Sequence, residues 1–399
     1  MKQIFPASIT GKGFAAGGSV LDHRFGDSPP FTLGVEEEYM LLDPQTFDLV
    51  QHVDTVLTAV ENGEFTERIG PELMQSVVEI STPVCRTAAD VESELRRLRG
   101  YVTEVARGQD LRVGSAGTHA FSLFERQRIT ARDRYRNLVD QLQYVARREL
   151  IFGLHIHVAV DDPEKAIHVT SALLLHLSEL LALSASSPFL RGEATGLASS
   201  RQMVFAAFPR SGPPPRFRDY ADYAEVVGQL EKTGCIADYT HIWWDIRLHP
   251  RFGTIEVRVM DAVPRVEDTT ALAAYIQGLV KLYSDRYEAG GELPSYHRIL
   301  TTENKWLAAR YGLEAPVMDL VTGRRNRVPV AQLVRRALRE IEPHARELGS
   351  DRELEGIHDI LERGNGADRQ LRVFNANRDI VEVVSEVADT TEAALVTTS

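Results

Sequence analysis

Acidic and imidazole side chains recur on the polar faces of several predicted strands, and together they could hold a metal ion. The set comprises Glu36, Glu38, Glu79, His155, His157 and Glu256. Carboxylates dominate it, which favours a hard cation such as Mg²⁺ or Mn²⁺ over Zn²⁺, whose sites are more often closed by several His or Cys. Arg201, Arg247 and Arg258 could supply fixed positive charge to a phosphate. Carboxylate-held Mg²⁺ beside arginine is an arrangement for phosphoryl transfer.

The densest polar face lies in residues 242–261, which read as two strands joined by a turn. Apolar and charged residues alternate on both sides of a link that contains Pro250 and Gly253, as in a hairpin. The two charged faces are therefore predicted to lie side by side. The predicted surface holds Asp245, Arg247, His249, Glu256 and Arg258. A solvated ladder of opposite charges would look the same in sequence, so the pattern alone leaves both interpretations open.

The first predicted strand, residues 31–42, also has one apolar face and one face that carries acidic residues. Its alternation places Glu36 and Glu38 on one face. Glu37 falls in the apolar register between them, a position that the sequence does not explain. The strand therefore predicts a pair of acids that face one site.

Two further predicted strands carry the remaining candidates. Residues 75–82 place Glu79 in an apolar run, where a carboxylate must be paired, bound to a cation or neutralised by desolvation. Residues 151–160 carry His155 and His157 opposite an apolar face. Four strands of this kind could line one metal site.

Helical patterns surround these strands and supply the scaffold. A helix begins after Thr87, a predicted N-cap, and stops at Gly108, and a long apolar helix follows Pro163. Residues 192–215 are rich in Gly and Pro and read as a loop of the kind that often carries binding. Further helices are predicted over residues 219–232 and 266–288 and in three or four segments between 294 and 388. Strands concentrated in the first two thirds, without regular alternation with helices, indicate an α+β domain with an antiparallel or mixed sheet.

Composition argues against several classes of function. With 45 basic and 57 acidic residues the net charge is −12, so neither a nucleic-acid nor a membrane partner is expected. Cys85 and Cys235 cannot form a disulfide framework, which fits a reducing cytoplasm. Residues 1–30 lack the apolar core of a signal peptide and are interpreted as a flexible lead-in. A single domain is then expected over residues 31–388, followed by a frayed tail over 389–399.

Each chemical signal is weak when it is taken alone. The pair His155 and His157 would equally suit a zinc hydrolase, although that site would need further His or Asp ligands downstream. A binding protein without catalysis is the third interpretation. The sequence lacks the fingerprints of a Rossmann dinucleotide site and of a Walker phosphate loop.

Several motifs, in order along the chain, resemble those of the carboxylate–amine ligases called glutamate–cysteine ligase type 2. The resemblance extends from residue 31 to residue 374 and is specific, because many separate motifs occur in the family's order. The motifs are G-V-E-E-E-Y (34–39), V-E-I-S-T-P (78–83), G-L-H-I-H-V (153–158), H-P-R-F-G-T-I-E-V-R-V-M-D (249–261), E-N-K-W-L-A-A-R-Y-G-L (303–313) and G-N-G-A-D-R-Q (364–370). One departure is Ala120, where relatives tend to have proline after the histidine.

The resemblance implies a glutamine synthetase-like α+β fold, with a curved and mainly antiparallel sheet and helices packed on its outer face. The metal ligands that it implies are Glu36, Glu38, Glu79, His155 and Glu256. The catalytic residues would be Glu256 and Arg258, and the residues that bind ATP or substrate would be Arg201, Arg247, His157, Asn304 and Arg369.

The implied reaction uses ATP and Mg²⁺ or Mn²⁺. A substrate carboxylate is phosphorylated by ATP, and an amine then displaces phosphate to give an amide. Glutamate and cysteine are the named pair of the family, whose members differ in how well they use it, and small amino-acid-like molecules are the implied partners. The sequence specifies neither the physiological substrates nor the oligomeric state, although the resemblance is compatible with a homodimer.

Overall fold

The structure is a computed structural model that describes residues 22–294 and 296–393. The strands of its central sheet form where apolar and polar residues alternate, because that pattern gives a strand one face for the core and one for a cavity. The strands are β1 (Leu33–Leu42), β2 (Ile69–Pro71), β3 (Val77–Ser81), β4 (Arg112–Gly114), β5 (Gly153–Ala159), β6 (Phe189–Leu190), β7 (Glu193–Ala194), β8 (Ser211–Gly212), β9 (Trp243–Trp244), β10 (Ile246–His249), β11 (Thr254–Asp261), β12 (Pro316–Asp319) and β13 (Arg324–Pro329).

One antiparallel sheet organises the described part of the chain. Seven strands of that part form it in the order β10-β11-β5-β1-β3-β2, with β4 paired to β1. Each of these pairings is antiparallel. A register shift in β11 between Val257 and Met260 bends the strand locally. The predicted α+β architecture with a mainly antiparallel sheet is therefore confirmed.

Helices cover the apolar side of this sheet and extend beyond it. They are α1 (Val53–Val60), α2 (Ala88–Gly108), α3 (Asp133–Leu142), α4 (Tyr144–Arg147), α5 (Pro163–Leu173), α6 (Leu177–Ser184), α7 (Arg201–Phe205), α8 (Tyr220–Lys232), α9 (Val266–Glu288), α10 (Arg298–Tyr311), α11 (Val330–Glu347), α12 (Asp351–Leu354), α13 (Gly356–Arg363), α14 (Gly366–Asn377) and α15 (Ile380–Glu392). The predicted cap at Thr87 is present, since its side chain and that of Asp90 each accept the other's backbone N–H at the start of α2. Such a cap contributes about 1 kcal/mol.

The main core lies between the sheet and helices α2, α5, α6 and α9. Leu154, Ile156 and Val158 of β5 are all 0% exposed on this side. Burying side chains of this size stabilises the fold by about 1.5–3 kcal/mol each. The apolar face of each strand therefore fixes which side its polar residues must take.

The long apolar helix predicted after Pro163 is broken by a 3₁₀ turn over Leu174–His176 and ends at Ser184. By length and composition, residues 163–184 could cross a membrane, but 94% of their apolar window is buried inside the protein. That burial is typical of a core helix.

Both ends of the described chain pack more firmly than the sequence indicated. Phe25 is 7% exposed, and the backbone N–H groups of Arg24 and Gly26 donate to the carbonyl oxygens of Pro250 and Val160, so this part of the predicted lead-in contacts the domain. Helix α15 continues to Glu392, whose carboxylate accepts a hydrogen bond from Arg112 Nε at 3.0 Å, so the predicted tail boundary at residue 389 moves outward. The rest of the predicted lead-in and tail, residues 1–21 and 394–399, lies outside the described residues.

Candidate active site

The polar face of the sheet lines a cavity of about 370 Å³. Its lining includes seven of the predicted site residues, namely Glu36, Glu38, Glu79, His155, Arg201, Arg247 and Arg258. His157 and Glu256 lie on the same face and are each 1% exposed. The charged face of the hairpin is therefore buried, which excludes the solvated-ladder interpretation.

Strand register brings the acids and imidazoles together. Glu36 of β1 lies opposite His155 of β5, and Glu256 of β11 lies opposite His157 of the same strand. These pairs occur because β5 is held between β1 and β11. Residues far apart in sequence thus share one patch of the sheet.

Glu36, His157 and Glu256 form a first cluster, in which one ligand-type atom from each residue lies within 4.8 Å of the others. His157 Nε2 is 3.8 Å from an oxygen of Glu36 and 3.8 Å from an oxygen of Glu256. Within the described residues this buried nitrogen has no hydrogen-bond partner. His155 Nδ1 lies 3.0 Å from the other oxygen of Glu36. The geometry thus brings His157 into the cluster, although the family motif favoured His155 as the ligand.

Glu38, Glu72 and Glu79 form a second cluster with the same 4.8 Å spacing. Glu38 pairs with Glu79 across β1 and β3. Glu72 follows β2, which pairs with β3, and sequence reasoning missed it. The three-residue strand β2 is too short to show the alternation that identified the other acids.

The two clusters concentrate negative charge in a buried space. Burial, with Glu256 close by, raises the pKa of Glu36 to about 8. Burial, with Glu72 close by, raises the pKa of Glu38 to about 7. Burial and the neighbouring Glu36 raise the pKa of Glu79 well above its usual range. Divalent cations would reverse these shifts, because they supply the missing positive charge.

Glu256 differs from the other acids because two arginines neutralise it. Arg247 Nε and Nη2 donate to its two oxygens at 2.8 and 3.1 Å, and Arg258 Nη1 also donates to it. Although burial opposes ionisation, these guanidinium groups hold the pKa of Glu256 well below its usual range. Arg247 also donates to the carbonyl oxygens of Thr240 and Ile242, so its N–H groups bind mainly acceptors within the protein.

Arg201 is a buried cation in the cavity wall. It is 3% exposed, and within the described part of the chain its guanidinium makes long hydrogen bonds of 3.5 Å to the carbonyl oxygens of Arg258 and Val259. Its Nε has no partner in the described part of the chain. A Cβ at residue 153 would lie 2.6 Å from Arg201 Nη2, so Gly153 leaves the space that this side chain occupies.

Glu149 is a second cavity residue that sequence reasoning missed. It lies between α4 and β5 and lines the cavity. Burial and the nearby Glu72 raise its pKa well above the usual range. A single acid just before an apolar strand carries no periodic signal that could have identified it.

Two residues that the resemblance assigned to ligand binding lie elsewhere. The Asn304 side chain donates to the Met318 carbonyl at 2.7 Å and accepts from its N–H at 2.9 Å. Arg369 Nη2 donates to Asp268 at 2.7 Å. Neither residue is part of the cavity lining, and their assignment to ligand binding stays a prediction.

Two members of the predicted charged surface support the cavity from outside its lining. Asp245 accepts a hydrogen bond from Lys305 Nζ at 2.6 Å. The His249 ring stacks on Phe252 with centroids 4.0 Å apart. Of the predicted charged surface, Arg247 and Arg258 line the cavity, whereas Asp245 and His249 contact other parts of the protein.

Two solved structures that share this fold are ligases by their titles. A glutamate–cysteine ligase from Francisella tularensis in complex with AMP superposes with a TM-score of 0.62 at 12% identity, covering 92% of this chain and 94% of that one. A bifunctional glutathione synthetase from Pasteurella multocida superposes with a TM-score of 0.65 at 15% identity, covering 92% of this chain and 53% of that one. At these identities the likeness shows the fold alone.

Sequence similarity defines the class more closely, and the class is that of carboxylate–amine ligases. The chain belongs to glutamate-cysteine ligase family 2, whose sequence profile matches residues 32–387. A protein of Rubrobacter xylanophilus named "Putative glutamate--cysteine ligase 2-1" is 41% identical over 375 residues, covering 94% of this chain and 98% of its own. One of Solibacter usitatus, named "Putative glutamate--cysteine ligase 2", is 42% identical over 367 residues, covering 92% of this chain and 95% of its own. The resemblance stated from the motifs is confirmed.

Proposed function

We propose that this protein is an ATP-dependent ligase that joins a carboxylate to an amine through an acyl-phosphate, with glutamate and cysteine as the first pair to test. The observation that carries the proposal is the cavity in which the carboxylates of both clusters lie beside the buried guanidinium of Arg201. An acidic cavity of this kind suits a cation–phosphate substrate such as ATP bound with Mg²⁺. The names of the relatives and the AMP bound to the Francisella enzyme support the same reaction.

In the proposed reaction a substrate carboxylate oxygen attacks the γ-phosphorus of ATP, and the bond to the β-phosphate oxygen breaks to release ADP. The amine nitrogen then attacks the acyl carbon, phosphate leaves and the nitrogen loses a proton. Arg201 and Arg258 line the cavity where they can hold phosphoryl oxygens by charge-assisted hydrogen bonds.

The donor set of this cavity fits hard divalent cations. Glu36, Glu256 and His157 would hold one, with His155 beside Glu36, and the second cluster, Glu38, Glu72 and Glu79, would hold another. The unpartnered Nε2 of His157 and the raised pKa values of the acids support this assignment. Bound Mg²⁺ would neutralise the phosphates and polarise the bond to be broken.

ADP release separates this proposal from a hydrolase or a binding protein. Purified protein is incubated with ATP, Mg²⁺ and a panel of amino acids, and ADP and amide products are measured by coupled assay and mass spectrometry. We expect ADP only when a carboxylate substrate is present, full dependence on Mg²⁺ or Mn²⁺, and resistance to zinc-selective chelators. Hydrolysis of simple amides or esters without ATP, or one tight zinc per chain, would support the hydrolase instead.

A further inference from the structure

One ring nitrogen of His157 has a hydrogen-bond partner among the described residues, and the other has none there. Its Nδ1 lies 3.0 Å from the hydroxyl oxygen of Thr254. Its Nε2 lies 3.8 Å from carboxylate oxygens of Glu36 and Glu256. His157 and Thr254 are each 1% exposed, so no bulk water competes for either nitrogen.

The surroundings leave this ring little freedom to turn. The His249 ring packs edge-on at 5.5 Å between centroids, and the Phe252 ring does so at 5.9 Å. Among the described residues, the Thr254 hydroxyl is the one group recorded in a hydrogen bond with the imidazole. Packing therefore fixes the plane of the ring, and the Thr254 hydroxyl holds Nδ1 so that Nε2 faces the two carboxylates.

We propose that Thr254 is a positioning residue that accepts the Nδ1–H of His157 and so leaves the Nε2 lone pair free for a divalent cation held by Glu36 and Glu256. This inference rests on the proposed function, which requires that cation. Histidines that bind metals usually donate their other N–H to a partner that fixes the tautomer and the orientation of the ring.

A hydroxyl suits this position better than a carboxylate would. It both donates and accepts, so it can serve the opposite tautomer when no cation is bound and Nε2–H faces the two acids. A carboxylate behind His157 would add another buried negative charge to a cavity that already concentrates several. Thr254 therefore assists metal binding without raising the free energy of the protein when no cation is bound.

The test is the Mn²⁺ affinity of the purified full-length protein without nucleotide, measured from the electron paramagnetic resonance of free Mn²⁺. Thr254→Val keeps the shape of the side chain and removes the hydroxyl, and it is expected to weaken the affected site by about 10–100-fold. Thr254→Ser keeps the hydroxyl and should bind Mn²⁺ like the wild type. Thr170→Val is the matched control, because Thr170 is buried in α5 outside the cavity lining. Thr254→Ala replaces the valine variant if melting in EDTA shows that valine is not tolerated.

A double-mutant cycle shows whether Thr254 acts through His157. In a His157→Gln background, Thr254→Val should cause no further loss of affinity, because the ring that it orients is gone.

The inference is overturned if Thr254→Val binds Mn²⁺ normally, if the Val and Ser variants weaken alike, or if the loss is the same in both backgrounds. If the wild type binds Mn²⁺ and ligates while Thr254→Val is unchanged, this inference alone fails. A wild type that binds no Mn²⁺ would overturn the proposed metal requirement as well.

Discussion

Glu36 and Glu37 are neighbours on β1, but they face opposite sides of the sheet and have different partners. On the core side, Arg99 Nε and Nη2 donate to the two oxygens of Glu37 at 2.8 and 2.6 Å. On the cavity side, oxygens of Glu36 lie 3.0 Å from His155 Nδ1 and 3.8 Å from His157 Nε2. One carboxylate is thus matched by a permanent cation, and the other lies among imidazoles and further acids.

This difference separates carboxylates that hold the fold from carboxylates that are placed for a ligand. A buried ion pair with good geometry is neutral as a unit, although removing one partner is costly. Crowded acids raise the free energy of the empty cavity, and a bound cation removes that penalty. Substitutions on the two sides of β1 should therefore affect different properties of the protein.

Replacing a carboxylate on the cavity side is expected to have the largest effect on activity. Glu36→Gln removes a negative metal ligand at nearly constant volume. Turnover should fall by more than about 100-fold, because replacing a residue that only hydrogen-bonds to a metal ligand already lowers activity by up to about 100-fold. Because the lost carboxylate repels Glu256, the melting temperature in EDTA should rise or stay unchanged. Ligation assays and thermal melts check both expectations.

Glu256→Gln makes a useful contrast with that variant. It should also abolish turnover, but it leaves Arg247 and Arg258 without their carboxylate and should lower the melting temperature. Near-normal turnover in either variant would remove that residue from the metal site.

Breaking the pair on the core side is expected to affect stability and not chemistry. Arg99→Leu leaves Glu37 as an unpaired buried carboxylate, and the free energy of unfolding should fall by about 3–5 kcal/mol. In the double variant Glu37→Leu/Arg99→Leu most of that loss should be recovered, because no unpaired charge remains. Urea unfolding measures the stability, and turnover of the folded fraction serves as the control. A single variant as stable as the wild type would mean that the pair does not hold β1 in place.

Local patterns predicted much of the fold and part of the site. Alternation identified β1, β3 and β5, and the turn residues of the hairpin identified β10 and β11. Strand registers then bring Glu36, Glu38, Glu79 and Glu256 to one face of the sheet, as the alternation predicts. These predictions work because period and turn chemistry are properties of a short segment.

Contacts between distant segments could not be read from those patterns. Glu37 was unexplained because its partner Arg99 is 62 residues away on α2. Glu72 was missed because only the pairing of β2 with β3 brings it to the cavity. The hydrogen bonds between Asn304 and the backbone of Met318 join two segments 14 residues apart, and no local pattern indicates them.

Glu179 is a second buried carboxylate with a cationic partner, His176, and the charge of that partner depends on pH. His176 Nδ1 lies 3.1 Å from Glu179, and its Nε2 lies 2.7 Å from the Tyr283 hydroxyl. Although burial opposes the charged ring, Glu179 and Tyr283 raise the pKa of His176 from 6.5 to about 10. Because the folded value is the higher one, the stabilisation is complete below pH 6.5 and is lost as the pH rises towards 10.

His176→Gln should therefore be less stable than the wild type at pH 6, and the difference should narrow steadily as the pH approaches 10. The effect should be smaller than that of Arg99→Leu, because the glutamine amide can still donate a hydrogen bond, whereas leucine cannot. Urea unfolding of both proteins across this range measures it. A difference that stays constant with pH would mean that the ring is not charged in the folded protein.

Arg258 is both paired within the protein and placed for a ligand, since it partly neutralises Glu256 and also lines the cavity. The sequence allowed a pair with Asp245, but Asp245 binds Lys305 and Arg258 donates to Glu256. Its Nε has no partner among the residues described. One part of the guanidinium can therefore hold Glu256 while another reaches a phosphoryl oxygen.

Lysine in place of Arg258 would keep the positive charge but could not make both contacts, because an ammonium lacks the planar fork of a guanidinium. Arg258→Lys is therefore expected to lower turnover by about tenfold, which corresponds to about 1.4 kcal/mol of transition-state stabilisation. The melting temperature should change little, since the ion pair with Glu256 survives. Arg247→Lys is the matched control: its donors serve Glu256 and backbone carbonyls, so it should lower the melting temperature more than Arg258→Lys does. Unchanged turnover in Arg258→Lys would leave Arg258 as a neutralising partner of Glu256 alone.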